Sequence, residues 1–328
     1  FKIVGNENPK GSSSQFKIDG LVNGATYYFA IRAIGENYEI SEFSNTIMVI
    51  PARKEDIKRI IVNPVYDHSS ATWSRDAGRL AFVTTRFRNE HLLHSVVHYS
   101  LSSGEYERLD VTTDALFPSW SPDAQRIAYN GGSSSDQSHI FIYEVDSDIT
   151  NQVTKAEMIN WDPDWSPDGR WLAYVSGNSG IDHQIFKISA TGDEPIQLTH
   201  DAGSKFYPNW SPNGRVILYS KSVPLDDGTH ARDIYMIPAD GEAPTLILQL
   251  QWEDHYATWS PDGSQIAFVS NRSGHPEIWV LEIASNTLRQ VTGTFLVSRV
   301  GSAEWSPVDN RILFTDLPDQ NLYTVALD

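Results

Sequence analysis

Along most of the chain the apolar and polar positions follow one pattern, and the pattern recurs six times. Each copy has a compact residue, a Trp, a short polar turn and then a run that is apolar at almost every position. The copies read ATWSRDAGRLAFVT, FPSWSPDAQRIAYN, DPDWSPDGRWLAYVS, FYPNWSPNGRVILYS, YATWSPDGSQIAFVS and SAEWSPVDNRILFTD. Their Trp residues are Trp73, Trp120, Trp165, Trp210, Trp259 and Trp305, successive ones 45 to 49 residues apart. A period in the mid-forties is that of a four-stranded propeller blade. The first strand of each unit ends in its Trp. Pro then fixes φ at the second turn position, Asp suits the third, and Gly closes the turn. The second strand (RIAYN, WLAYV, VILYS, QIAFV, RILFT) is apolar enough to be buried on both faces. A third follows (HIFIYEV, QIFKISA, DIYMIPA, EIWVLEI, NLYTVAL). The fourth (NQVT, PIQLT, LRQVT) is the most polar, as an outer edge facing water should be.

Two positions before each Trp stand Ala71, Pro118, Pro163, Pro208, Ala257 and Ala303. All are compact, as innermost strands must be where six sheets converge on an axis, and Pro there needs a position free of ladder partners. The Trp side chains are large enough to wedge between blades. The sixth unit ends after NLYTVAL without a fourth strand, while IKRIIVN (57–63) precedes the first Trp and belongs to no earlier unit. The expectation is that 57–63 adds as the outer strand of the sixth blade, pairing with 320–327, so that no open edges remain.

Residues 1–50 do not share the period. They read as three strands, SQFKI, TYYFAIRAIG and SNTIMVIP, and Leu21 with Tyr27 has the spacing of a tyrosine corner. The stretch resembles the C-terminal half of a fibronectin type III domain. The expected fold class is therefore all-β: a six-bladed propeller over 57–328, a partial fibronectin-like sandwich over 1–50, and PARKED (51–56) as a linker. The chain opens on Phe1 without an initiator Met, which reads as a mature product or a piece of something longer.

WSPDG followed by IAFVS, a short polar loop such as NRSGHPEIW and a QVT or QLT strand resembles the propeller repeat of TolB and its relatives. The likeness covers 57–328 and is closest in blades three and five. Blade one (SRDAG, with the long strand HLLHSVVHYS) and blade six (SPVDN) depart from it. TolB itself carries a different N-terminal α/β domain, so the fibronectin-like segment argues against a direct counterpart. The resemblance implies a periplasmic or otherwise exported, non-catalytic propeller that binds partner proteins at one face and in its central channel. Fold alone does not fix function.

Composition narrows the choices. A net charge of −17 repels phosphate backbones and anionic membrane surfaces, so nucleic acid is not an expected partner. No apolar run approaches the roughly 20 residues of a membrane span. With no Cys there are no disulfides, thiolate metal sites or Cys nucleophiles. The same repeat precedes prolyl-oligopeptidase-type serine peptidases, but the G-x-S-x-G elbow they need is not in this sequence. Ten Trp and fourteen Tyr stand out.

Candidate chemistry is sparse. His91, His94 and His98 have metal-like spacing, and oligogalacturonate lyase, a related propeller, holds a metal on His side chains; polar edge residues of an irregular blade are the simpler reading. Asp226 and Asp227, like Asp146 and Asp148, read as solvated loops, because a Ca²⁺ site needs about six oxygens from several segments. No cofactor or metal is assigned. What remains is the channel mouth, rimmed by the residues three and four before each Trp: Ser69/Ser70, Leu116/Phe117, Trp161/Asp162, Phe206/Tyr207, His255/Tyr256 and Gly301/Ser302. Phe117, Trp161, Asp162, Phe206, Tyr207, His255 and Tyr256 are the candidate partner-binding set, since aromatics at a concave rim serve peptide or sugar recognition. Lys205, Arg299 and Asp254 lie beside them as candidates for setting partner charge. The leading functional reading is a non-catalytic protein-interaction scaffold that binds a partner at the channel face, as an assembly subunit of a larger periplasmic or extracellular complex would. The alternatives are a carbohydrate-binding or carbohydrate-acting propeller, and a propeller gating a peptidase domain outside this segment.

Overall fold

The computed structural model describes residues 57–61, 67–88, 91–109, 114–134, 137–155, 158–178, 182–225, 228–248, 252–293, 300–316 and 321–327, with four short strands ahead of them. Six four-stranded antiparallel blades follow in chain order, each running from an inner to an outer strand. Blade one is Asp67–Trp73, Arg79–Arg88, His91–Ser100 and Tyr106–Arg108; blade two is Asp114–Trp120, Arg126–Ser134, Gln137–Glu144 and Ile149–Gln152. Blade three is Ile159–Trp165, Trp171–Gly177, Gln184–Ser189 and Ile196–Gln197; blade four is Lys205–Trp210, Val216–Pro224, His230–Pro238 and Thr245–Leu248. Blade five is Asp254–Trp259, Gln265–Ser270, Glu277–Glu282 and Thr287–Gln290. Blade six takes Val300–Trp305, Arg311–Asp316 and Asn321–Ala326 from the end of the chain and Ile57–Ile61 from before blade one. Ile57 faces Val325 and Ile61 faces Leu322 across that seam, so both ends of the array meet in one sheet.

The repeat motif builds the joint between the first two strands. In blade three the Ser166 hydroxyl donates to Asp168 (2.6 Å) and accepts the Trp171 N–H (2.9 Å), while the Gly169 N–H reaches the Ser166 carbonyl. Blades one, two, four and five repeat this with Ser74, Ser121, Ser211 and Ser260. The fourth turn residue is left-handed throughout these five: Gly169, Gly214 and Gly263 adopt it freely, whereas Ala77 (φ 52°) and Ala124 (φ 55°) carry a Cβ there.

Each Trp fills a seam between neighbouring blades. Trp165 packs with Ala128, Ile140 and Ile142 of blade two, and Trp305 with Ala267, Val269 and Ile278 of blade five. Trp73 packs on Leu313 and Leu322 of blade six, which completes the circle. At three seams the Arg that follows the turn stacks over the next Trp: Arg79 on Trp120, Arg126 on Trp165 and Arg311 on Trp73. The Gln-x-Thr motif also has a structural duty. The hydroxyls of Thr154, Thr199 and Thr292, all buried, accept the N–H groups of Ile140, Ile185 and Ile278 at 2.9 Å. The Gln two residues earlier donates to the same Thr carbonyl, so the polar fourth strand is pinned at its end.

Ahead of the propeller, Lys2–Gly5 pairs with Phe16–Asp19. Ile47–Val49 adds in parallel to the outer strand of blade five, and Tyr27–Phe29 adds to Ile47–Val49. The rest of the proposed fibronectin-like half, the corner around Leu21 and the 51–56 linker lie outside the described residues.

Candidate functional site

Every inner strand carries a β-bulge just before its Trp. In blade four Phe206 pairs with Ser220 and Asn209 with Leu218, so three steps on one strand match two on the other. The same slip occurs at Ser69/Thr72, Leu116/Ser119, Trp161/Asp164, His255/Thr258 and Val300/Ala303. The extra residue makes room for Pro118, Pro163 and Pro208, which have no N–H to give to a ladder. It also forces the residue three before the Trp into the left-handed region: Ser70, Phe117, Asp162, Tyr207 and Tyr256 have φ between 48° and 55°. Aromatic side chains rarely occupy that region, and five successive blades adopt it among the described residues.

The bulge sorts the candidate rim residues into two sets. Ser70, Phe117, Asp162, Tyr207, Tyr256 and Ser302 line the axial cavity, which has a volume of about 110 Å³. Their predecessors do not line it. Trp161 packs against the core between blades three and four and meets His183 edge-on at 4.5 Å. Phe206 sits between His183 and the Arg232 guanidinium, which lies 5.1 Å from its ring centre and is tied to Glu253 at 2.6 Å. His255 lies against Tyr256 and Tyr207, and burial lowers its pKa to about 4, so the imidazole is neutral. The rings nonetheless form one run across blades three to five, with Tyr207 and Tyr256 only 4.1 Å apart at its centre.

Two expectations about charge need correction. Lys205 is fully buried, its ammonium 3.0 Å from an Asp201 carboxylate oxygen. Asp254 is likewise buried and takes the Arg272 guanidinium in a two-pronged pair at 2.9 Å. Both stand five residues before their Trp, where the strand faces the interior, so neither presents charge to a partner. Arg299 lies outside the described residues.

The His candidates of blade one have separate tasks. His94 shares a hydrogen bond with Thr85, and His98 sits edge-on to Trp120 with Glu107 at 3.4 Å. The side chain of His91 and residues Asp226 and Asp227 lie outside what is described.

A family profile described as "TolB beta propeller domain" matches residues 58–224, just over half of the chain. The chain belongs to this TolB β-propeller family. No curated protein sequence matches it. Among solved structures, TolB from Acinetobacter baumannii is similar with a TM-score of 0.60 at 18% identity, covering 77% of this chain and 64% of that one. The chain thus spans less than two thirds of that relative. A putative TolB from Agrobacterium tumefaciens gives 0.58 at 20% identity, covering 67% and 76%. Oligogalacturonate lyase from Vibrio parahaemolyticus gives 0.57 at 10% identity, covering 94% and 99%. At these identities the likeness is one of fold.

The TolB-type frame also exposes a ring that repeat-reading of the sequence missed. One residue before each Trp stand Thr72, Ser119, Asp164, Asn209, Thr258 and Glu304, and five of these line both halves of the channel. Asp164 accepts the Trp210 N–H at 2.7 Å and the Ser119 hydroxyl at 3.2 Å; Asn209 accepts the Trp259 N–H at 3.3 Å. Each thus ties its blade to the next. Burial raises Asp164 to about 7, and burial with the neighbouring Asp164 charge raises Glu304 to about 8. Asp162, above them, is raised to about 7 by burial. The signal in the sequence was strict alternation: the position is polar in all six copies while its neighbours are not.

Proposed function

We propose that this TolB-type propeller is a non-catalytic docking module, outside the cytoplasm, that holds a partner protein at the entry face of its channel. The observation that supports this best is the aromatic run over blades three to five, centred on Tyr207 and Tyr256 and displayed by a repeated bulge. Five strained, inward-turned positions cost stability, and strain of this kind clusters at working surfaces. The channel below, at about 110 Å³, has the volume of a side chain and not of a folded domain, so the partner engages from the rim. Among the described residues no helix is long and apolar enough to cross a membrane.

A photo-crosslinker at Tyr207 tests this, with one at Tyr106, an exposed residue on the outer strand of blade one, as control. Position 207 is expected to yield a discrete protein adduct in cells that make the protein, and Tyr256→Ala to abolish it. An adduct from 106 and none from 207 would move the docking surface away from the rim. A glycan array with no retained sugar is the expected outcome against the competing reading of the rim as a sugar platform.

A further inference from the structure

We infer that the channel accepts a lysine or arginine side chain from the docked segment, with Asp162, Asp164 and Glu304 as its counter-charges. The inference rests on the docking reading above and names the chemistry of what docks.

Three carboxylates line the entry half of the channel, and among the described residues that line it none is Lys, Arg or His. Asp162 is the most exacting of them. It is only 6% exposed, its Oδ2 takes the Tyr207 N–H at 3.4 Å, and its Oδ1 is buried without a hydrogen-bond partner. A buried carboxylate without a partner is costly, and removing one half of a buried pair is costlier than never having had it. Lys205 and Asp254 have internal partners, whereas among the described residues no ion pair holds Asp162, Asp164 or Glu304. Arg232, whose charge reaches Tyr207 and Tyr256, lies behind Phe206 and is occupied by Glu253, while Arg75 stands at the far half of the channel, which Asp164 and Glu304 also line.

Geometry selects an organic cation over a metal ion. Among the described residues no three His, Cys, Asp or Glu side chains gather closely enough to hold a metal. Level with Asp162 and above Asp164 and Glu304 stand Phe117, Tyr207 and Tyr256, whose rings favour an ammonium or guanidinium over a tightly hydrated ion. A long basic side chain suits that order, since its methylene stem packs on rings while its head reaches the carboxylates. The cavity of about 110 Å³ has room for one such side chain. The raised pKa values of the three acids describe the same site before its cation arrives.

Panning the full chain against a random dodecapeptide library tests the idea, with the D162N/D164N/E304Q variant panned in parallel. Lys or Arg is expected at one aligned position, and the enriched peptide, made synthetically, should bind the variant at least about tenfold more weakly. Peptides lacking a basic residue, or basic peptides bound equally by both proteins, overturn the proposal. So does a stoichiometric Ca²⁺ site in calorimetry that disappears in the variant. Should non-basic peptides be lost on Tyr207→Ala, docking at the rim stands without the cation; should no enriched peptide depend on rim or carboxylates, both readings fall. If the triple variant does not fold, E304Q alone and the pH dependence of wild-type binding decide. Asp164 and Glu304 face each other, with Ser119 on Asp164 and Arg75 at the far half of the channel; Asp162 faces the Tyr207 and Tyr256 phenols, which in turn feel Arg232 and, at Tyr207, Glu253. Both phenols titrate above their ordinary range, so affinity for a lysine peptide should rise from pH 6 to 8.5 as the carboxylates ionise, because lysine holds its proton to about 10.4. A flat or falling profile refutes it.

Discussion

Backbone strain at single residues separates architecture from display. Ala77 and Ala124 sit at the left-handed turn position that three other blades give to Gly, and a left-handed residue with a Cβ costs about 1–2 kcal/mol. Ala77→Gly is therefore expected to raise unfolding stability in urea, and Gly169→Ala to lower it, each by about 1 kcal/mol. Tyr207 is held in the same region for another purpose. Tyr207→Gly removes the strain together with the ring, so its melting midpoint should equal or exceed that of Tyr207→Ala, while both lose the partner. A lower midpoint for the glycine variant would show that the bulge is not strained. Hydroxyls buried at Thr199 and Thr292 are a third kind of residue, purely structural. Thr292→Val orphans the Ile278 N–H and the buried Glu277 carboxyl that its hydroxyl contacts, for a loss of about 1–3 kcal/mol by chemical denaturation.

At the scale of elements, blade six is the one assembled from distant parts of the chain. Its outer strand, Ile57–Ile61, presents Ile57 and Ile60 to the cores between blades five and six and between six and one. Replacing both with Asp should cost about 3 kcal/mol or more in buried apolar area alone, and it opens the ring. Limited proteolysis is expected to cut the variant first near residue 57 and native protein elsewhere; identical patterns would mean that closure does not depend on this strand. The pairing partner was legible because a unit with three strands and an orphan strand at the other end fit only one way. The addition of Ile47–Val49 to blade five was not legible, since three apolar residues on a strand do not specify which exposed edge they meet. The bulges were equally hidden. The Pro residues before Trp120, Trp165 and Trp210 signalled a break in pairing, but which neighbour turned inward depends on φ, and the sequence had offered both.

For the whole molecule, the channel acids set an unusual pH response. Asp162, Asp164 and Glu304 have folded-state pKa values of about 7, 7 and 8, above those of free carboxyls. Between about pH 4 and 8 these three groups therefore hold more protons in the native state than in the unfolded chain, so they lose stability as pH rises. His98, His183 and His255 are depressed by burial and act oppositely, but only below about pH 6.5. The melting midpoint should therefore climb as pH falls from 8.5 to 6.5, and Glu304→Gln should flatten that slope and raise the midpoint at pH 8. A midpoint that rises with pH would contradict the axial placement of Glu304. The blade count, the duties of Trp, turn and buried strand, and the closing partner were legible along the chain, because each follows from local periodicity repeated six times. Which residues share the axis was not, since that depends on how the blades pack. Asp164 and Glu304 share one repeat position in blades three and six and Asp162 stands two residues before Asp164; their meeting, like the burial of Lys205 and Asp254, arises from six blades converging around one line.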